Sequence, residues 1–89
     1  MTAAAEYATR GIRVNAVLPG GIRTPAIEHY FDAMPELRDR TIASHAMNRL
    51  AEPDEIAEAI LWLASDRSSF VTGHLLNVDG GVLVKSHAL

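Results

Sequence analysis

Apolar and polar positions divide the chain into four segments of predicted regular structure. Residues 2–9 are Ala-rich and favour a helix that ends near Gly11. Residues 12–18 alternate apolar and polar, become apolar on both faces and run into Pro-Gly-Gly, which predicts a buried strand. Residues 53–65 repeat apolar side chains at intervals of three and four, the pattern of an amphipathic helix. Residues 75–78 predict a second short strand, ended by an Asp-Gly-Gly turn.

Between the first strand and the long helix, the polarity pattern is mixed. Residues 19–25 predict a loop, in which Thr24 is suited to cap a helix and Pro25 to occupy its first position. Residues 26–48 predict two short helical stretches broken at Pro35. This order predicts an α/β fold, because a strand–helix–strand crossover forms a parallel sheet. Two parallel strands cannot cover both of their own faces, so we expect the chain to be part of a larger sheet and only weakly stable alone.

Composition narrows the function classes. The chain has 89 residues, no Cys and a formal net charge of −3. Without Cys it has no disulfide framework and no thiolate nucleophile. The scattered arginines form no basic cluster, so a nucleic-acid partner is not expected. No apolar run approaches the length of a membrane span, and the N-terminus has no signal-peptide pattern. We therefore expect a cytoplasmic protein without membrane contact.

Four segments in sequence order carry a family resemblance: GIRVNAVLPGGIRT at 11–24, RLAEPDEIA at 49–57, LASD at 63–66 and VTGHLLNVDGG at 71–81. Together they closely resemble the C-terminal third of short-chain dehydrogenases/reductases, Rossmann-fold oxidoreductases that use NAD or NADP. The resemblance extends over nearly the whole chain. One departure lies at the end of the lid, where the frequent Pro-Met-Gly-Arg is Ala-Met-Asn-Arg here.

The resemblance implies that 1–89 is the C-terminal portion of one Rossmann-type, doubly wound parallel sheet. Residues 12–18 and 75–78 would be its last two strands, and 53–65 its last helix. In the family these last elements often build the subunit interface, which implies a homo-oligomer, either a dimer or a tetramer. Trp62 is either an interface residue or an ordinary core residue.

The same resemblance implies sites in the residues between the first strand and the long helix. Residues 19–25 would be the cofactor-side loop and 26–48 the substrate lid over a small alcohol or carbonyl compound. The implied cofactor contacts are Pro19, Gly20, Ile22 and Thr24, with the Ile22 backbone on the nicotinamide carboxamide. The alternative is that Pro-Gly-Gly is only a turn and Thr24 only a helix cap. The lid residues are Ile27, Tyr30, Phe31 and Met34, which either line an apolar pocket or pack in the core.

Motifs that the family's chemistry needs are missing from this sequence. It has no Gly-rich dinucleotide turn and no Tyr-x-x-x-Lys, since Gly11 follows Tyr7 by four residues and Met34 follows Tyr30. The only lysine is Lys85, and no serine can be assigned the catalytic role. We therefore assign no catalytic residue and expect the 89-residue chain by itself to be inactive. It would hold NAD or NADP only as part of a longer enzyme. The alternative is a non-catalytic remnant or subunit-interaction module.

Other polar residues are interpreted as structural. The histidines at 29, 45, 74 and 87 lack the spacing of a metal site and are expected to be solvated or to lie in the lid. Asp66, Ser68 and Ser69 predict a turn at the helix end rather than a nucleophile. Asn15, within the first strand, is expected to bond to neighbouring backbone groups.

Overall fold

The computed structural model of the protein describes residues 2–86. Over that range the elements are α1 (Thr2–Tyr7), β1 (Ala16–Pro19), α2 (Pro25–Ala33), α3 (Pro35–Ala43), α4 (Pro53–Ala64), β2 (Leu75–Val78) and α5 (Val82–Ser86), with 3₁₀ turns at Ala8–Arg10 and Asp66–Ser68. The strands pair in parallel, with Ala16 opposite Leu75 and Pro19 opposite Val78. The predicted α/β class and the parallel crossover are confirmed.

The first strand is shorter than the pattern predicts, because it begins at Ala16 rather than at residue 12. Before Ala16, side-chain oxygens accept some of the backbone N–H groups that carbonyl oxygens would accept in a regular sheet. The Val14 N–H donates to Thr72 Oγ1 at 3.1 Å, and the His74 N–H donates to Asn15 Oδ1 at 2.9 Å. A backbone bond from the Gly73 N–H to the Val14 carbonyl at 2.8 Å still joins the two segments there, but the regular ladder starts only at Ala16.

Asn15 bonds to neighbouring backbone groups, as expected from its position. Besides accepting from His74, its Nδ2 donates to the Val71 carbonyl at 3.0 Å. Both ends of one amide side chain therefore tie the segment before β1 to the segment before β2. A side chain used in this way is a structural element of the sheet.

Local signals set the helix ends. The first helix and its 3₁₀ extension stop at Gly11, whose φ of 74° is left-handed. Helix α4 begins with Pro53 in its first turn, and the Glu55 carboxylate accepts the Glu52 N–H at 2.9 Å, as in a capping box. The helix predicted over 53–65 ends at Ala64, one residue early.

The described residues bury little apolar surface. The radius of gyration is 16.0 Å, whereas a compact chain of this length has about 12 Å. The buried apolar side chains are Ala4, Phe31, Ile56 and Leu63. Large apolar side chains stay exposed on α4, including Ile60, Leu61 and Trp62. This small core agrees with the expectation that two strands and their helices leave faces uncovered.

The segment after β2 forms a capped turn and a short helix rather than a plain tail. Asp79 Oδ1 accepts the Gly81 N–H at 2.9 Å, and Oδ2 accepts the Leu83 N–H at 3.3 Å. The carboxylate thereby satisfies amides at the start of α5. The predicted Asp-Gly-Gly turn is confirmed, whereas His87 lies outside the described residues.

Candidate functional site

The loop that leaves β1 is anchored on one side to the segment before α4. Ala51 donates its N–H to the Gly21 carbonyl at 2.8 Å and accepts the Arg23 N–H at 2.7 Å. Ile22 and Ala51 thus form an isolated parallel bridge. These two bonds form a one-residue bridge outside the two-stranded sheet and give the loop a fixed course.

The parallel bridge determines where the Ile22 backbone points. Backbone groups of successive residues in an extended segment point to opposite sides. Since Gly21 and Arg23 face Ala51, the N–H and C=O of Ile22 face away from it, and neither makes a hydrogen bond within residues 2–86. A donor and an acceptor therefore stand side by side on the open face of the loop.

His45 holds the loop from a second direction. The side chain is buried, at 3% exposure. Its Nε2 accepts the Gly21 N–H at 2.9 Å, and its Nδ1 lies 2.8 Å from the Thr41 carbonyl in α3. Because a carbonyl only accepts and an amide N–H only donates, the ring is the neutral tautomer with its hydrogen on Nδ1. The sequence-based expectation of a solvated or lid histidine misses this burial.

Two glycines in the loop are needed for close contacts with the protein itself. A Cβ on Gly20 would lie 2.8 Å from His45 Nε2 and 2.9 Å from the Asp79 Cα. A Cβ on Gly21 would lie 2.7 Å from Leu50 Cδ2. The family resemblance implies a cofactor contact at Gly20. The structure supplies a different physical reason, which is the packing of three segments around His45.

Thr24 caps α2, as its position before Pro25 predicts. Its Oγ1 accepts the Ile27 N–H at 3.2 Å, and Pro25 occupies the first turn. A hydroxyl that accepts one hydrogen bond still has its own hydrogen to donate. The cap therefore leaves Thr24 able to contact a ligand on the open face of the loop.

The four lid side chains on α2 and at its end divide into one core residue and three exposed ones. Phe31 is buried at 7% exposure, and its ring centroid lies 6.3 Å from that of Tyr30. The exposed members are Ile27, Tyr30 and Met34. The spacing alone left pocket lining and core packing open, and the structure places Phe31 in the core.

The charged groups beside the loop are paired with one another. Arg23 donates to both carboxylate oxygens of Glu52 at 2.7 Å and to Glu28 at 2.8 Å. The hydrogen bond from Arg23 holds the pKa of Glu52 below its usual range. Because both carboxylates already satisfy Arg23, this guanidinium belongs to the structure of the loop rather than to an anion site.

An open cleft of about 580 Å³ lies at the carboxyl ends of both strands. His45, Met47, Asp79 and Gly20 are among its lining residues, whereas Pro19, Ile22 and Thr24 are not. The cleft is on the Ala51 side of the loop. The Ile22 backbone groups face the other side, so of the four candidate cofactor contacts only Gly20 borders the cleft.

Other chemical features in residues 2–86 are structural. No group of three or more His, Asp or Glu side chains in this range could hold a metal ion. Ser68 is 2% exposed and lies in the 3₁₀ turn after α4, as a helix-end residue would. Within the described range, no helix is long and apolar enough to cross a membrane.

Comparison with known proteins gives consistent matches over most of the chain. The family model described as enoyl-(acyl carrier protein) reductase matches residues 1–83. Glucose 1-dehydrogenase of Gluconobacter oxydans is 51% identical over 82 residues, which are 91% of this chain and 30% of that enzyme. The chain spans about a third of the length of the curated relatives it matches.

Solved structures also match most of this chain. A short-chain dehydrogenase family protein from Francisella tularensis superposes with a TM-score of 0.80 at 35% identity, over 93% of this chain and 38% of that one. ElxO with bound NADP superposes with a TM-score of 0.84 at 37% identity, over 93% of this chain and 34% of that one. With a family model matching nearly all of its length, this chain belongs to the short-chain dehydrogenase/reductase family.

Proposed function

We propose that this chain supplies the nicotinamide-side loop and the substrate lid of an NAD(P)-dependent oxidoreductase. The reaction is hydride transfer between the cofactor and a small alcohol or carbonyl substrate. The observation that carries this proposal is the unpaired N–H and C=O of Ile22 on the open face of a loop that is fixed on its other side.

The Ile22 backbone fits the nicotinamide carboxamide in its hydrogen-bonding pattern. A carboxamide offers one carbonyl acceptor and one NH₂ donor. The Ile22 N–H donates to the first and the Ile22 C=O accepts from the second, so two bonds fix the direction of the ring. Thr24 adds a hydroxyl donor beside the cofactor, and Pro19 and Gly20 form the wall where the loop leaves the strand.

In the proposed reaction, this chain orients the nicotinamide ring and encloses the substrate. The bound nicotinamide supplies or accepts the hydride. Ile22 holds the ring at a fixed angle, which favours reaction because the reacting atoms start close to their final geometry. Helices α2 and α3 cover the substrate, with Ile27, Tyr30 and Met34 exposed for apolar contact. The proton-transfer groups and the phosphate-binding turn come from outside these 89 residues.

The names of the relatives support this proposal. One relative is a glucose dehydrogenase, and one structural neighbour has NADP bound. The first name describes dehydrogenation of a small sugar, and the second describes a bound nicotinamide cofactor. A second candidate function, a subunit-interaction module, is favoured by the exposed apolar side chains of α4, and the same surface would serve oligomer formation in an active enzyme.

A hybrid enzyme tests the cofactor contact. In it, this chain replaces the matched segment of the Gluconobacter glucose 1-dehydrogenase, which supplies the remaining two thirds. We expect the hybrid to bind the reduced nicotinamide cofactor more tightly than ADP-ribose, which lacks the nicotinamide. The deamido cofactor, which carries a carboxylate in place of the carboxamide, is expected to bind about tenfold more weakly because it loses the donor to Ile22.

A matched pair of variants separates backbone from side chain. Ile22→Ala keeps both backbone groups and is expected to leave cofactor affinity within about twofold. Ile22→Pro removes the N–H and is expected to weaken it about tenfold. A folded hybrid that binds the cofactor, its deamido analogue and ADP-ribose equally would refute the proposal.

A further inference from the structure

His45 joins the lid to the cofactor-side loop through both ring nitrogens. One nitrogen bonds the Thr41 carbonyl in the last turn of α3, and the other bonds the Gly21 amide next to Ile22. The ring is buried and lies within van der Waals range of the positions where Gly20 and Gly21 have no side chain. A side chain at either glycine would therefore crowd the imidazole ring of His45.

We propose that His45 is a positioning residue that steadies the Gly20–Gly21 peptide and thereby supports the direction that the Ala51 bridge gives to the Ile22 backbone groups, and this inference rests on the proposed function. The physical reason is the peptide plane. The Gly21 N–H bonds His45 and the Gly21 carbonyl bonds Ala51, so the two peptide units that flank Gly21 are both held. The carbonyl of Gly21 lies in the same rigid peptide unit as the Ile22 N–H, and it points the opposite way.

Loss of the His45 bond would free the first of these peptide units. The Gly21 N–H would then be left without a partner in a part-buried position, which favours rotation of the loop toward water. Rotation there pulls on the Ala51 bridge at its Gly21 end, shifts the Ile22 N–H and C=O and weakens their contact with the carboxamide. In the proposed function this loop contacts the nicotinamide end, so binding of ADP-ribose would change little.

The imidazole also couples the lid to the loop. Thr41 lies in α3, which belongs to the segment proposed to close over the substrate. A movement of the last turn of α3 therefore displaces His45 and, through it, the Gly21 amide. In this arrangement the lid position and the nicotinamide angle are linked by one side chain.

Two amide substitutions distinguish the two bonds of the ring. In His45→Gln, the side-chain oxygen can reach the position of Nε2 and accept from Gly21. In His45→Asn, the shorter side chain can replace only the Nδ1 bond to Thr41. His29→Asn, an exposed histidine on α2, is the matched control. All three are made in the hybrid enzyme, and the reduced nicotinamide cofactor and ADP-ribose are the probes.

We expect His45→Asn to weaken cofactor binding about tenfold while ADP-ribose binding stays within about twofold, and His45→Gln to restore most of the loss. His29→Asn should change neither. Equal losses for both probes in His45→Asn would show a general structural role and overturn the proposal, as would unchanged cofactor affinity. If the unsubstituted hybrid itself prefers the cofactor no more than ADP-ribose, the proposed function fails first, so the two failures are distinguishable.

Discussion

Arg13 and Ser68, 55 residues apart in sequence, are joined by a hydrogen bond of 3.0 Å from the guanidinium to Oγ. Arg13 also reaches the Ser65 carbonyl at 2.9 Å and the Val71 carbonyl at 3.1 Å. Ser68 in turn lies 2.9 Å from the Leu63 carbonyl at the end of α4. This cluster ties the approach to β1 to the turn between α4 and β2.

Ser68→Ala tests that cluster. Removing the hydroxyl leaves a part-buried guanidinium nitrogen with one acceptor fewer and the end of α4 without its donor. We expect the free energy of unfolding of the hybrid enzyme to fall by about 1–3 kcal/mol. Ser69→Ala, at the exposed neighbouring position, should change it by less than about 0.5 kcal/mol. Equal effects in urea unfolding would contradict a special role for Ser68.

The start of α4 predicts a dependence of stability on acid pH. The Arg49 guanidinium bonds both carboxylate oxygens of Glu55, at 2.7 and 2.8 Å, and lowers the pKa of Glu55 from 4.5 to about 2. A carboxyl whose pKa is lowered by folding stabilises the protein above its unfolded pKa and loses that contribution as pH falls through its folded pKa. We therefore expect stability to decline between about pH 4.5 and pH 2.

Glu55→Gln isolates this effect. The amide can still accept the Glu52 N–H of the capping box but cannot form the ion pair. The variant should be less stable than the parent at neutral pH, with the difference shrinking as pH falls toward 2, in urea unfolding at a series of pH values. Glu58→Gln, one turn on, is the control and should leave the profile unchanged. A pH-independent difference for Glu55→Gln would count against the ion pair.

The sequence predicted the regular elements well because their signals are local. Thr24 and Pro25 mark the start of α2, Pro35 marks the break before α3, and Gly11 marks the end of the first helix. The start of β1 was missed because it depends on the Asn15 side chain and on the Thr72 hydroxyl, which lies 58 residues from its partner Val14. No periodicity within 12–18 contains that information.

The candidate site was predicted only in part, because some of its residues are brought together by contacts between distant segments. The resemblance singled out Ile22, whose backbone donor and acceptor make no hydrogen bond within residues 2–86. His45 was assigned to solvent or the lid because no motif surrounds it. Its burial follows only from the meeting of the segments after β1, after α3 and after β2. The small residues at 20 and 21 were the one available signal, and they suggested a cofactor rather than a side chain as the close neighbour.

The two loop glycines should differ in their tolerance of alanine. Beside Gly20, a Cβ meets the backbone of Asp79, which cannot move away. The nearest atom beside Gly21 is the end of the flexible Leu50 side chain. We expect Gly20→Ala to destabilise the hybrid by about 1–3 kcal/mol and Gly21→Ala by clearly less. Thermal unfolding of both variants measures the two losses of stability. A larger loss for Gly21→Ala than for Gly20→Ala would refute this account of the contacts.

The exposed apolar residues of α4 predict self-association of the chain. Leu61 is 62% exposed and Trp62 is 44% exposed. Burial against a second copy would remove this apolar surface from water. We expect the emission of Trp62, the only tryptophan, to shift to shorter wavelength and the sedimentation coefficient to rise with concentration. Leu61→Lys should suppress both changes, and a concentration-independent monomer would contradict the prediction.

The 89-residue chain by itself is predicted to have no dehydrogenase activity. It contains neither a Gly-rich dinucleotide turn nor a Tyr-x-x-x-Lys pair, and its only lysine is Lys85. A tyrosine acts as the acid–base group in such chemistry only when its pKa is lowered by a neighbouring cation, which no lysine here is spaced to supply. The purified chain, incubated with NAD or NADP and a panel of small alcohols, should produce reduced cofactor no faster than buffer. The hybrid enzyme, assayed in parallel with glucose, is the positive control, and turnover by the chain alone would show that it carries a proton-transfer group that the sequence does not reveal.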